Sequence, residues 1–428
     1  MTEDKWSART WHRRASKPVT IWMIIFIVCG VGHILIPNYR WVLIHLFTLG
    51  ILSNAILVWS QHLTEKFVQQ RLPDSARPKQ LARIYIFNLG VIIVLAGQIL
   101  IDAWSQHWIL TLTGAAIISA MVAWHGFVLF TQWKSAANKR FRPVVAAYVF
   151  SALCLAVGAF FGGFLSLNPG NPQLLLAHIG ANVGGFVGLA AAGSLTILFP
   201  AIWRSNGTNR YMNTSFILLA VGVLGTSIGS LMGFPQAGLV IYVVGWVLSL
   251  QQWLGTALRS RTPLTYPSVS VLLAVVWLVG ALTYYTVQHF LTEEPALPTL
   301  ALLVGFAAQL LIGVMSYLLP TTMGGGPAAV RAGLQKLNGM GLFRSTLINL
   351  GLLAWITTDI SWLSVVMSML SLGALAVFPI LMVRAVKAQR AVITGKAEGP
   401  PPQEYTPWDQ VAAGIAIIAA ICVLFLRA

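Results

Sequence analysis

Between Pro143 and Trp203 the chain runs for 61 residues without a single Asp, Glu, Lys or Arg. That is room for two membrane spans of about 20 residues each with a connection between them. The connection is visible as Asn168-Pro169-Gly170-Asn171-Pro172, which is turn chemistry between two apolar runs. The same character extends along the whole chain, which is 57% hydrophobic and 9% charged. A soluble domain carries roughly 25% charged residues, so the bilayer is the expected solvent. In hydrocarbon every backbone N–H and C=O must be paired within the spanning structure, and the alternating pattern of a membrane barrel is absent. The expected fold class is an all-α polytopic membrane protein.

Hydropathy predicts thirteen spans, near residues 19–36, 41–59, 81–101, 108–131, 144–165, 174–201, 213–232, 237–258, 269–288, 299–319, 342–356, 363–383 and 411–426. Charge tests the count. With the N-terminus in the cytoplasm, 25 of the 27 basic residues fall on the cytoplasmic side, leaving Arg40 and Arg427 outside. The acidic pair Glu293-Glu294 also falls outside. A missed or invented span would reverse every later loop and destroy this bias. The domain reading is a basic cytoplasmic tail (1–18), a twelve-helix body (19–384), a flexible cytoplasmic linker (385–410) and one added C-terminal transmembrane helix (411–428) whose end lies outside.

The net charge of +16 is spread over segments flanking the spans. It therefore points to anionic lipid headgroups as partners and not to nucleic acid. Cys29, Cys154 and Cys422 form neither a disulfide framework nor a zinc spacing. The ladders Gly180-Gly184-Gly188 and Gly225-Gly229-Gly233 read as helix-packing seams. No internal repeat is evident. The loop Thr321-Thr322-Met323-Gly324-Gly325-Gly326-Pro327 lacks the GK[ST] of a phosphate-binding loop and reads as a plain connection.

No ionisable residue other than histidine lies in the middle of a span, which argues against ion-coupled transport. The topology puts His33, His45 and His178 at one depth near the outer ends of spans one, two and six. Neutral imidazole is the commonest metal ligand and an axial ligand of haem iron, so these three are the candidate cofactor- and metal-binding residues. Cys29 shares a helix face with His33, and Asn182 with His178. Asn54, Asn88, Gln98, Gln309 and Asn349 are placed either to polarise a site or to bond between helices. Met315 is a further conceivable axial ligand.

Three stretches carry a resemblance: His45-Leu46-Phe47-Thr48-Leu49-Gly50 through Asn54 to His62, His178-Ile179-Gly180-Ala181-Asn182 to Pro200, and Gly305-Phe306-Ala307-Ala308-Gln309 to Pro327. Together they resemble bacterial twelve-helix membrane proteins distantly similar to the NnrS family and to subunit I of the haem–copper oxidases. In some of those relatives a similar membrane module adjoins a multicopper-oxidase domain. The resemblance implies a haem–copper-oxidase-like bundle in a bacterial cytoplasmic membrane that binds haem, copper or both. It further implies a redox or copper-protein partner and a connection with nitric oxide handling. By position, His45 matches a haem ligand and His178 a copper ligand. The oxidase pattern also needs two histidines on span seven and two on span ten, where this chain has none and offers Gln309 and Met315. A complete oxygen-reducing centre is therefore not expected. Two readings stand beside this one: a permease for a small neutral or lipidic solute, and a non-catalytic assembly partner of a membrane or outer copper protein.

Overall fold

Among the described residues thirteen helices are long and apolar enough to cross a bilayer: α1 (Thr10–Val31), α2 (Tyr39–Phe67), α3 (Asp74–Ile99), α4 (His107–Ser135), α5 (Arg142–Leu165), α6 (Pro172–Ile202), α7 (Met212–Leu231), α8 (Gln236–Arg259), α9 (Tyr266–Leu291), α10 (Ala301–Met323), α11 (Gly326–Thr357), α12 (Ser361–Ile393) and α13 (Trp408–Phe425). The computed structural model describes residues 8–136, 140–207, 210–292 and 295–427. Lys5, Lys139 and the Glu293-Glu294 pair lie outside the described residues, which contain no strand. Ile92, Phe127 and Ile217 stand exposed along their helices, as expected where lipid replaces water. The protein is thus a multi-pass helical membrane protein.

The chain divides into two compact units, one of residues 1–197 and 210–249, the other of residues 198–209 and 250–428. In the first, the N-terminal segment read as a tail is helical from Ala8. Trp11 and Ala15 are buried against Val58, Leu81 and Ile84, and an amphipathic turn that can bury a tryptophan does not stay free in solvent. In the second unit, part of the segment read as a flexible linker continues α12 to Ile393. The remainder is held by side chains: Arg331 Nε donates to Pro400 O at 2.9 Å, and Asn338 Nδ2 to Gln403 Oε1 at 2.9 Å. The Leu264 N–H donates to Thr406 Oγ1, also at 2.9 Å. The added helix α13 packs on α11 of its own unit, with Ile418, Ile421 and Cys422 joining Ile348 and Leu352 and Gly414 set against Thr346. Before that contact, α11 bends at Met340 (φ 47°) between a short helix, Gly326–Leu337, and the spanning part, Gly341–Thr357. Gly324, Gly325 and Gly326 all have positive φ, which explains the glycine run as a backbone requirement of this turn.

Within these units the chain has a period of four helices. The second helix of each four, α2, α6 and α10, widens into π-helical turns over Leu46–Ser53, Gly180–Gly188 and Ala301–Ala308. Such turns leave carbonyls off the ordinary ladder, and in hydrocarbon those carbonyls need donors. In α2 the helix supplies its own: Ser53 Oγ donates to Thr48 O at 2.8 Å and Asn54 Nδ2 to Gly50 O at 2.8 Å. In α6 the donors come from neighbours, Tyr242 to Gly184 O at 2.8 Å and Ser151 to Phe186 O at 2.7 Å.

A glycine stands fourth from the end of each π-helical segment: Gly50, Gly185 and Gly305. Each lies against a side chain of the preceding helix, namely Trp22, Cys154 and Trp277. In the first and third fours the likeness goes further. Trp22 Nε1 donates to Asn88 Oδ1 at 2.6 Å, and Asn88 Nδ2 to Asn54 Oδ1 at 2.8 Å. Trp277 Nε1 donates to Asn349 Oδ1 at 2.8 Å, and Asn349 Nδ2 to Gln309 Oε1 at 2.9 Å. In both, the tryptophan precedes the glycine by 28 residues and the glycine precedes the span-two amide by 4. In both, an arginine (Arg83, Arg344) stands 5 residues before the asparagine. The expectation of no internal repeat is therefore corrected. The repeat rests on five scattered positions, and apolar residues that only need to fill space hide it.

Candidate functional site

The π-helical segments of α2 and α6 begin one and two residues after His45 and His178, and the first unit brings these two histidines together. Their ring centres are 6.4 Å apart and their planes 31° from parallel. Each ring is oriented by its own backbone contact: His45 Nδ1 lies 2.9 Å from Trp41 O, and His178 Nδ1 lies 2.9 Å from Gly158 O. A carbonyl only accepts, so each Nδ1 is the donor in its contact; this leaves His45 Nε2 with its lone pair, while His178 Nε2 lies 3.4 Å from the Asn182 amide nitrogen. This is the outer contact that usually fixes a metal-binding histidine.

The walls are specific. Trp41 stacks on His45 with centres 3.6 Å apart and planes 16° from parallel. Asn182 lies along His178, its Nδ2 being 3.0 Å from Nδ1 and 3.4 Å from Nε2, and its Oδ1 is buried with no donor. Opposite them, α5 presents two glycines one turn apart. A Cβ at Gly162 would stand 2.8 Å from His178 Cε1, and one at Gly158 would collide with Asn182 Oδ1. The two glycines form a seat that any larger residue would fill. His45 and His178 are residues of intermediate exposure.

His33 does not complete a trio. Helix α1 ends at Val31, and His33 begins a short 3₁₀ turn, with Nδ1 2.9 Å from Gly30 O and its ring 5.0 Å from Tyr39. Among the described residues no three His, Cys, Asp or Glu side chains gather as a metal site. The cysteines are free, and Cys154 is the neighbour of Gly185. Of the amides singled out from sequence, Asn54, Asn88, Gln309 and Asn349 bond between helices, and Gln98 donates to Thr111 at 3.3 Å. Asn182 alone of them stands at the histidine pair. Met315 belongs to the second unit.

Sequence reasoning missed the second histidine pair. His12 Nε2 and His62 Nδ1 share a hydrogen bond of 2.8 Å, beside a bidentate pair in which Arg77 donates to Glu65 at 2.7 and 2.9 Å. His125 contacts Ser60 Oγ at 3.0 Å. These rings already have partners on the protein. Trp41, Gly158 and Gly162 were missed as well, since their signal is position against a neighbouring helix and not residue type. No family model matches this chain, and no curated protein is similar to it.

Proposed function

We propose that this protein binds one redox-active metal centre, haem iron or copper, through His45 and His178. The observation that carries the reading is the pair itself: two imidazoles from different helices, 6.4 Å apart at their centres, each with Nδ1 engaged by a backbone carbonyl. A metal–nitrogen bond is about 2.0 Å long, so rings this close could both reach one ion. Among the described residues no third His, Cys, Asp or Glu joins the pair, so the two imidazoles would be the ligands that the protein supplies. Such a centre would supply one-electron chemistry.

The residues of the chain would hold and tune it. The Trp41 and Gly158 carbonyls fix which ring nitrogen is free, and Trp41 stacks on one face of His45. The Gly158–Gly162 seat holds His178 and Asn182, and the unpartnered Asn182 Oδ1 is an acceptor waiting for a donor. The resemblance of the same stretches to the NnrS family and to haem–copper oxidase subunit I supports this reading. It favours electron transfer or nitric oxide handling over oxygen reduction. The proposed setting is a bacterial cytoplasmic membrane, N-terminus inside, with a redox or copper-protein partner.

The test is the absorption spectrum of detergent-purified protein, oxidised and reduced, with its iron and copper content, after expression with both supplied. A Soret band that shifts on reduction with near-stoichiometric iron, or near-stoichiometric copper without that band, supports the reading. A featureless, metal-free protein overturns it.

A further inference from the structure

Arg83 stands on α3 toward the end that carries Arg77 and Lys79, and only 5% of it is exposed. Its charge is one that no protein environment removes. Among the described residues it makes no hydrogen bond and no ion pair. Its aromatic neighbour is Trp124 of α4, whose ring centre lies 5.6 Å from the guanidinium carbon. A ring face steadies a cation without neutralising it. Of the described acids at this end, Glu65 is taken by Arg77 at 2.7 Å and Asp74 by Arg71 at 2.9 Å. Asp102 lies past the opposite end of α3. An arginine left without an anion inside a membrane protein is costly, and it calls for a partner.

The surroundings are those of a lipid-facing surface. Trp124 is 37% exposed, and Phe127 beside it on α4 is more open still. Farther from the basic end, Gly90 is set against Gly114 and Gly97 against Thr111, so the two helices close on each other there. None of the Arg83 nitrogens is sealed off, in contrast to Arg344 and its enclosed Nη1. The guanidinium fork therefore opens on the surface it shares with Trp124. Lys79, one turn nearer the basic end, is exposed and also makes no ion pair among the described residues. Side chains on a helix lean toward its N-terminus, and α3 begins at this end, so both cations reach toward the headgroups. In the other direction Ile86 and Leu89 stay exposed, as a surface for acyl chains. What the arrangement lacks is an anion at headgroup level with two oxygens for a planar fork, which is a phosphodiester. Lys79 would repel the ammonium of a zwitterionic lipid, so a lipid of net negative charge fits best.

We propose that Arg83, Trp124 and Lys79 bind the phosphate of one anionic glycerophospholipid. The proposal does not depend on the histidine pair. Its test is native mass spectrometry of the delipidated full-length protein titrated with phosphatidylglycerol, with phosphatidylcholine as the zwitterionic comparison. The expected result is one phosphatidylglycerol per chain, bound at least tenfold more tightly than phosphatidylcholine and not displaced by excess inorganic phosphate. Affinity falls at least tenfold in Arg83→Gln and about threefold in Lys79→Gln and in Trp124→Leu, and it is unchanged in Arg210→Gln. Lys79 and Trp124 are exposed, so their variants carry the test if Arg83→Gln fails to fold. Equal affinity for the two lipids overturns the proposal, as does displacement by inorganic phosphate, which would mark a plain anion site. Unaltered affinity in both Lys79→Gln and Trp124→Leu overturns it as well. A loss in Arg210→Gln equal to that in Arg83→Gln would reduce the effect to net charge and overturn it too.

Discussion

Trp22, Gly50, Asn54 and Asn88 in the first unit do the same work as Trp277, Gly305, Gln309 and Asn349 in the second. A tryptophan lies over a glycine, its N–H is held by an asparagine one helix further on, and that asparagine is locked to an amide at the end of the π-helical turns. The intervening four-helix stretch keeps the π-helical turns and the close glycine but not this chemistry. Cys154 stands against its glycine, Leu189 occupies the amide position, and the polar groups have moved two turns along α6 to His178 and Asn182. The polar triad is therefore a device for pinning wide helical turns in hydrocarbon.

The comparison can be broken most forcefully at the glycines. Gly50→Leu and Gly305→Leu drive a side chain into a tryptophan ring already within 3 Å of where a Cβ would stand. Each is expected to cost about 3 kcal/mol, the upper end for overpacking, read as thermal unfolding in detergent. A harmless substitution at one and a ruinous one at the other would end the equivalence. Next come Asn88→Leu and Asn349→Leu. Each leaves a tryptophan N–H and an amide oxygen without partners, and a loss of about 2 kcal/mol is expected from each. Matching losses sharpen the comparison, and a difference above about 1 kcal/mol dissolves it.

These expectations rest on features that hydropathy does not display. The thirteen apolar helices were legible because hydropathy is a matter of residue type counted over about 20 positions. The π-helical turns were not, since a wider turn shifts register by one residue and leaves the apolar content of Leu46–Ser53 unchanged. His33 was read as part of span one because the apolar run continues to Ile36, while the helix stops at Val31 before Gly32. The linker read as free because it is rich in proline and polar residues. It is held through Thr406, Gln403 and the carbonyl of Pro400, contacts that composition does not reveal.

Smaller effects separate the two ways of satisfying wide turns. Tyr242→Phe removes the donor that α8 lends to Gly184 and is expected to cost about 1 kcal/mol. Ser53→Ala removes a donor internal to α2 and is expected to cost less, because Asn54 still serves the adjoining carbonyls. Equal costs would mean that α6 gains nothing from its neighbours. Smallest of all, Thr406→Ala gives up one bond to the Leu264 N–H, about 0.5–1 kcal/mol. It is expected to leave the thermal midpoint almost unmoved while speeding proteolysis between Thr394 and Pro407.

The most direct measurement on the central claim is the metal-to-protein ratio of the wild type beside His33→Ala, His45→Ala and His178→Ala, all purified after expression with haem and copper supplied. One iron or one copper per chain in the wild type and in His33→Ala, falling below a tenth in the other two at unchanged expression, is the predicted result. Equal metal content in all four proteins, or none in any of them, would contradict it.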